Sequence, residues 1–91
     1  MKPVPPWRLI RRRNCPPCER LEQYLRGYFG ESADAWLDVL DVDSAPHLVD
    51  QYGLRVPVLL KDNQVIVEGC WNRETLDPAL PPPPLRPRGR S

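Results

Sequence analysis

Two cysteines, Cys15 and Cys18, stand two residues apart in the run Cys15-Pro16-Pro17-Cys18. That spacing suits three kinds of arrangement. A thiol pair one helical turn apart can cycle between dithiol and disulfide. It can supply half of a zinc site. It can also be two packed cysteines with no chemistry. A structural zinc site needs about four ligands. The only further cysteine or histidine groups are Cys70 and His47, and no second Cys-x-x-Cys exists. The redox reading therefore leads, and no metal site is expected.

That reading makes demands on the surrounding elements. The thiolate is the nucleophile, and at a helix N-terminus its pKa falls to about 3.5–7.5. Free backbone N–H groups and the positive helix end stabilise it there. The sequence provides such a junction. Trp7 to Arg12 reads as a short strand with Leu9 and Ile10 buried. After Asn14 the pattern becomes helical, with Cys18, Leu21, Leu25 and Tyr28 on one face. Glu22 and Arg26 sit four apart in the favourable order, and Gly30 is a suitable stop. Cys15, at the mouth of the helix, is expected to be exposed and to attack first. Cys18, one turn in on the apolar face, is expected to be buried and to resolve the mixed disulfide. Pro16 and Pro17 have no N–H to offer. The N–H of Cys18 is then the local donor to the Cys15 thiolate. Arg11, Arg12 and Arg13 are expected to add favourable positive charge.

The remaining elements follow from pattern. Trp36 to Val42 reads as a second strand. Ser44 is suited to cap a helix with Pro46 in its first turn, Leu48, Val49 and Tyr52 as its buried stripe, and Gly53 at its end. Val58 to Leu60 is a third strand, Asp62-Asn63 a hairpin turn, and Gln64 to Val67 the returning strand. Trp71 to Leu80 has room for a short final helix. The order βαβαββα predicts an α/β fold: a four-stranded mixed sheet with flanking helices, its first two strands parallel. Three segments result. Residues 1–6 are extended, because Pro3, Pro5 and Pro6 forbid a helix. Residues 7–80 form the domain. Residues 81–91 are a Pro/Arg-rich tail expected to be disordered.

Composition narrows the function classes. With 91 residues there is room for one domain. A formal net charge of +1 gives no strong bulk attraction to nucleic acid, and no nucleic-acid partner is expected. No apolar run approaches the ~20 residues of a membrane span. Met1 to Trp7 lacks the apolar stretch of a signal peptide, so a cytoplasmic location and no membrane partner are expected. Three cysteines are too few, and odd in number, for a secreted disulfide framework. The chain is expected to act as a monomer.

The paired cysteines, the run Tyr52-Gly53-Leu54-Arg55-Val56-Pro57-Val58-Leu59-Leu60 and the later Glu68-Gly69-Cys70 together resemble the thioredoxin superfamily. The likeness is strongest to the small glutaredoxin-like proteins of bacteria, and it covers Trp7 to about Leu80. It implies a thioredoxin-like fold and a cis Val56–Pro57 peptide facing the cysteines, where Val56 offers its backbone to an extended substrate. It also implies that Arg12, three places before Cys15, and the Gly69-Cys70 stretch lie where glutathione carboxylates are held. The implied substrate-binding set is thus Arg12, Val56, Pro57, Gly69 and Cys70. Only one glycine of the usual pair is present, Glu68 brings negative charge, and the acidic pair that usually follows is absent. Asn14 and Leu9 occupy the positions of the thioredoxin Trp and buried Asp.

The activity implied is thiol–disulfide exchange on protein disulfides or glutathione mixed disulfides, with Cys15 attacking and Cys18 resolving. No resident cofactor is implied; glutathione is a candidate co-substrate. The alternative is a redox-sensing or protein-binding module with little turnover. An iron–sulfur carrier is disfavoured by the Pro-Pro pair, which crowds the loop. Trp7, Tyr24, Tyr28, Phe29 and Trp36 read as core or rim, while Trp71 is placed beside the substrate groove.

Overall fold

A computed structural model describes residues 5–80 of the chain. The 81–91 tail, and all but the last two residues of the 1–6 segment, lie outside the described residues.

The central strand, β1 (Trp7–Arg11), is buried on both faces, with Trp7 and Leu9 on one side and Ile10 on the other. It pairs in parallel with β2 (Leu37–Asp41) and antiparallel with β3 (Val58–Lys61). β4 (Gln64–Glu68) closes the sheet antiparallel to β3, giving the order β2-β1-β3-β4. Asp62 and Asn63 form the β3–β4 turn with φ of 51° and 70°. Such a turn needs positive φ at both central residues, which Asp and Asn tolerate.

A parallel pair needs a crossover. Here it is α1 (Pro16–Phe29) followed, after a 3₁₀ turn, by the short α2 (Ala33–Trp36). α1 buries Cys18, Leu21, Leu25 and Phe29. Leu21, Leu25 and Phe29, with Trp7, Leu9, Leu59, Val67 and Leu76 of α4 (Arg73–Leu76), form the larger core. α3 (Pro46–Tyr52) covers a smaller cluster of Ile10, Val42, Leu48, Val58 and Leu60.

Several sequence expectations are corrected in detail. The last buried residue of α1 is Phe29, not Tyr28. Phe29 stacks on Trp36, with ring centroids 5.8 Å apart and 6° between planes, while Tyr28 is half-buried and meets Phe29 edge-on at 5.4 Å. Trp36 ends α2, so β2 begins one residue later. The N-cap of α3 is Ala45, because Ser44 is taken up in a 3₁₀ turn over Val42–Ser44 that Asp41 caps. Val49 is exposed, so the buried stripe of α3 narrows to Leu48 with Tyr52 half-buried. Gly30 ends α1 as expected, with φ of 61° and its N–H on the Arg26 carbonyl.

Candidate active site

Strand register gathers the site at one end of the sheet. Ile10 pairs with Val58, Arg11 with Asp41 and Val58 with Glu68. The loops after β1, β2 and β4 and the loop before β3 therefore meet at that end. They carry Cys15, Asp43, Gly69 and Val56–Pro57, respectively.

Asn14, at φ 54°, turns the chain from β1 into α1. Asparagine is among the few residues that take this conformation readily. Cys15 is then the N-cap, in extended conformation, and Pro16 and Pro17 open the helix. An N-cap side chain normally accepts from the second or third helical N–H. Pro17 has none, so Cys15 Sγ accepts from Cys18 N at 3.3 Å. Cys15 and Cys18 form a disulfide with Cα atoms 5.2 Å apart. Cys15 is half-buried, whereas Cys18 is 0% exposed. The two thiols therefore occupy unequal environments, as the helical register predicts.

Val56–Pro57 is cis. Pro57 is buried and Val56 half-buried. The Gly69 N–H bonds both the Arg55 and the Pro57 carbonyls, each at 2.9 Å, which ties the β4 exit to the proline loop. Gly69 sits at φ 65°, where an L side chain would be strained. Arg55 and Glu68 brace the same two segments by an ion pair.

A family model described as Glutaredoxin-like domain (DUF836) matches residues 8–80. The chain belongs to that family. Among solved structures, the solution NMR structure of protein Ne2328 from Nitrosomonas europaea has a TM-score of 0.62. It is 24% identical, and the match covers 89% of this chain and 99% of that one. The shared architecture is the thioredoxin-like fold. No curated protein matches the chain.

In this glutaredoxin-like domain the charge around the cysteines departs from expectation. Arg11, Arg12 and Arg13 do not act as a free positive cluster, because each faces a carboxylate. Arg11 bonds Glu22 at 2.6 Å. Arg12 engages both oxygens of Asp43, at 3.0 and 3.1 Å, and gives its remaining nitrogen to the Gly53 carbonyl. Arg13 lies 3.9 Å from Asp41. The hydrogen bond from Arg12 holds the Asp43 carboxyl below its ordinary range, and the same bond raises Arg12. The local fields largely cancel, leaving the α1 N-terminus and the Cys18 N–H beside Cys15.

Cys70 is exposed and unpaired. The next residue, Trp71, donates its Nε1–H to the Pro17 carbonyl at 3.2 Å and packs on Tyr24 at 5.8 Å between ring centroids. Sequence reasoning placed Trp71 beside the groove but missed Tyr24 as its partner. It also missed Arg20 on the same face and Asp43 as the anchor of Arg12. Pro17, Arg20 and Tyr24 recur at helical spacing, a signal that could have joined them. Nothing local in the sequence couples Asp43 to Arg12.

Among the described residues, no group of three or more His, Cys, Asp or Glu converges as metal ligands would. No helix among them is long and apolar enough to cross a membrane.

Proposed function

We propose that this chain is a dithiol thiol–disulfide oxidoreductase acting on protein disulfides and glutathione mixed disulfides. One observation carries the reading: a half-buried cysteine at a helix N-cap is bonded to a fully buried one in the next turn, whose N–H it accepts.

The chemistry follows from that inequality. In the reduced protein the Cys15 thiolate attacks one sulfur of a substrate disulfide and expels the other as a thiolate. The Cys18 thiolate then attacks Cys15 Sγ, releasing the second substrate thiol and leaving the Cys15–Cys18 disulfide. The substrate gains two electrons and two protons, and the protein loses them. A thiol reductant, with glutathione as the candidate co-substrate, returns the protein to its dithiol. Val56 and Pro57 supply backbone for an extended substrate, Gly69 shapes the rim beside them, and Cys70 borders it. Leu54, fully exposed next to this loop, adds an apolar contact for a polypeptide. Arg12 takes part as a positioning residue, holding the β1–α1 loop to Asp43 and the Gly53 carbonyl.

The test is alkylation of the reduced protein at mildly acidic pH, with each cysteine followed by mass. Cys15 is expected to label first. Cys15→Ser should lose all disulfide reduction, and Cys18→Ser should retain turnover of glutathione mixed disulfides. First labelling of Cys18 would reverse the assignment. Failure of the reduced protein to exchange with any disulfide would leave only the sensing or binding reading.

A further inference from the structure

Six of the eight described arginines are paired with carboxylates: Arg8, Arg11, Arg12, Arg13, Arg26 and Arg55. The two without a carboxylate partner among the described residues are Arg20 and Arg73. Both line the same open groove of about 750 Å³. Its floor is Pro17, Tyr24 and Trp71, and Cys70 lies along it. None of its lining side chains is acidic. Arg73 is held over the Tyr24 ring, 5.4 Å from the centroid, and Arg20 is exposed on α1.

The groove starts at the redox loop. Pro17 lies between the two cysteines, and its carbonyl is fastened to Trp71. From Pro17 to Tyr24 is seven residues of helix, or about 10 Å at the helical rise. A ligand in this groove extends well away from the reacting sulfur. On the opposite side, Arg12 is closed off by Asp43 and the Gly53 carbonyl. Among the described residues, the arginines free to meet an anion therefore lie on the α1–α4 side.

We propose that this groove receives an acidic, extended polypeptide segment flanking the substrate's cysteine, with its carboxylates on Arg20 and Arg73 and an apolar side chain on Trp71 and Tyr24. The inference rests on the oxidoreductase reading and names its substrate class. Charge complementarity selects the occupant: the lining carries two guanidinium groups without a carboxylate partner and no acid, and the one carboxylate bonded to a lining residue, Asp77, accepts the Tyr24 hydroxyl, so the net charge disfavours basic chains. The aromatic floor favours a chain carrying apolar residues between its acids.

Two peptides test it. Each carries one cysteine as a mixed disulfide with a small neutral thiol, flanked in one by Asp, Glu and Leu and in the other by Lys and Leu. The reduced protein should reduce the acidic peptide about five-fold faster at low salt, the scale of two exposed charge pairs. The ratio should approach one near 1 M salt, where screening acts within about 3 Å. Reversing both charges, Arg20→Glu with Arg73→Glu, should invert the preference, an outcome that misfolding cannot mimic. Equal rates at low salt, or faster reduction of the basic peptide, would overturn the proposal.

A second measurement does not depend on turnover. In the oxidised protein Cys70 is the one free thiol. A cysteine-free version of the acidic peptide should slow Cys70 alkylation, and the basic one should not. Equal protection at the same concentration by S-methylglutathione, which cannot exchange with the Cys70 thiol, would overturn the proposal in favour of a small-ligand site. Protection by the acidic peptide without reduction of either peptide would keep the groove and reject the oxidoreductase reading. Reduction of both at equal rates without protection would do the reverse.

Discussion

Replacing Pro17 with alanine should make Cys15 a more acidic thiol. In α1 the first two helical positions are prolines, so the Cys15 cap reaches only the Cys18 N–H, at 3.3 Å. Pro17→Ala restores an N–H at the second position, the other site that an N-cap side chain reaches. A hydrogen bond to a charged group is worth about 1.5–3 kcal/mol. Sulfur is a weak acceptor, so the lower end applies. About 1.4 kcal/mol is one pKa unit, and the Cys15 pKa should fall by about that much. Stabilising the thiolate stabilises the reduced protein, so at pH above that pKa the reduction potential should rise by about 30 mV. Fold stability should move the other way by about 0.4–1 kcal/mol, because alanine frees the unfolded chain. Alkylation rate against pH reads the first quantity, and equilibration with a glutathione redox buffer reads the second. Pro16→Ala is the control: its new N–H lies at the first position, which the cap does not reach, so the pKa should stay near the parent's. An unchanged or raised pKa in Pro17→Ala, or an equal fall in Pro16→Ala, would refute the reasoning.

Three other outcomes follow from the packing and charge. Burial alone would raise the Glu22 carboxyl, but hydrogen bonds from Arg11 and Arg26 outweigh it and hold the group below 4.5. Its stabilisation is then present above about pH 4.5 and lost as pH falls through the lower folded value; Glu22→Gln should cost about 1 kcal/mol at neutral pH and flatten the acid limb of a pH–stability curve. Leu25, fully buried on α1, should cost about 2–5 kcal/mol as alanine, read by denaturant unfolding. Trp71→Phe keeps the ring on Tyr24 but loses the bond to the Pro17 carbonyl, and should lower stability by about 0.5–1.5 kcal/mol; no loss would mean that the bond adds nothing to the clamp.

Periodicity made most of this fold legible. The strands, the parallel β1–β2 pair and the Asp62-Asn63 turn each rest on a local signal: alternation, a crossover-length helix, and residues that accept positive φ; the order β2-β1-β3-β4 was not legible, because it is set by which edge of β1 the hairpin joins. The burial of Cys18 was legible for the same reason, since a three-residue helical step puts it on the buried stripe. Boundaries were less so. Tyr28 and Phe29 are adjacent aromatics, and which one turns inward depends on Trp36, brought against α1 by tertiary packing. Ser44 has the chemistry of a cap, but Asp41 organises a 3₁₀ turn that moves the helix start past it.

Charge was the least legible layer, because an ion pair joins residues with no sequence pattern between them. Three consecutive arginines just before Cys15 suggest a positive field. The register of β1 beside β2 sets Arg11 opposite Asp41, and the following loops bring Arg12 to Asp43. α1, crossing over the sheet, presents Glu22 to Arg11. Once these pairs form, side-chain charge near Cys15 is mostly spent on holding loops together. Backbone N–H groups at the start of α1 then remain as the main source of thiolate stabilisation, and the prolines limit how many there are. The acidity of Cys15 should accordingly respond more to Pro17 than to Arg11 or Arg13. Among the described residues, the guanidinium groups without a carboxylate partner are Arg20 and Arg73; on the proposal above they would bear on which substrate docks, while the backbone at the start of α1 governs how the thiolate forms.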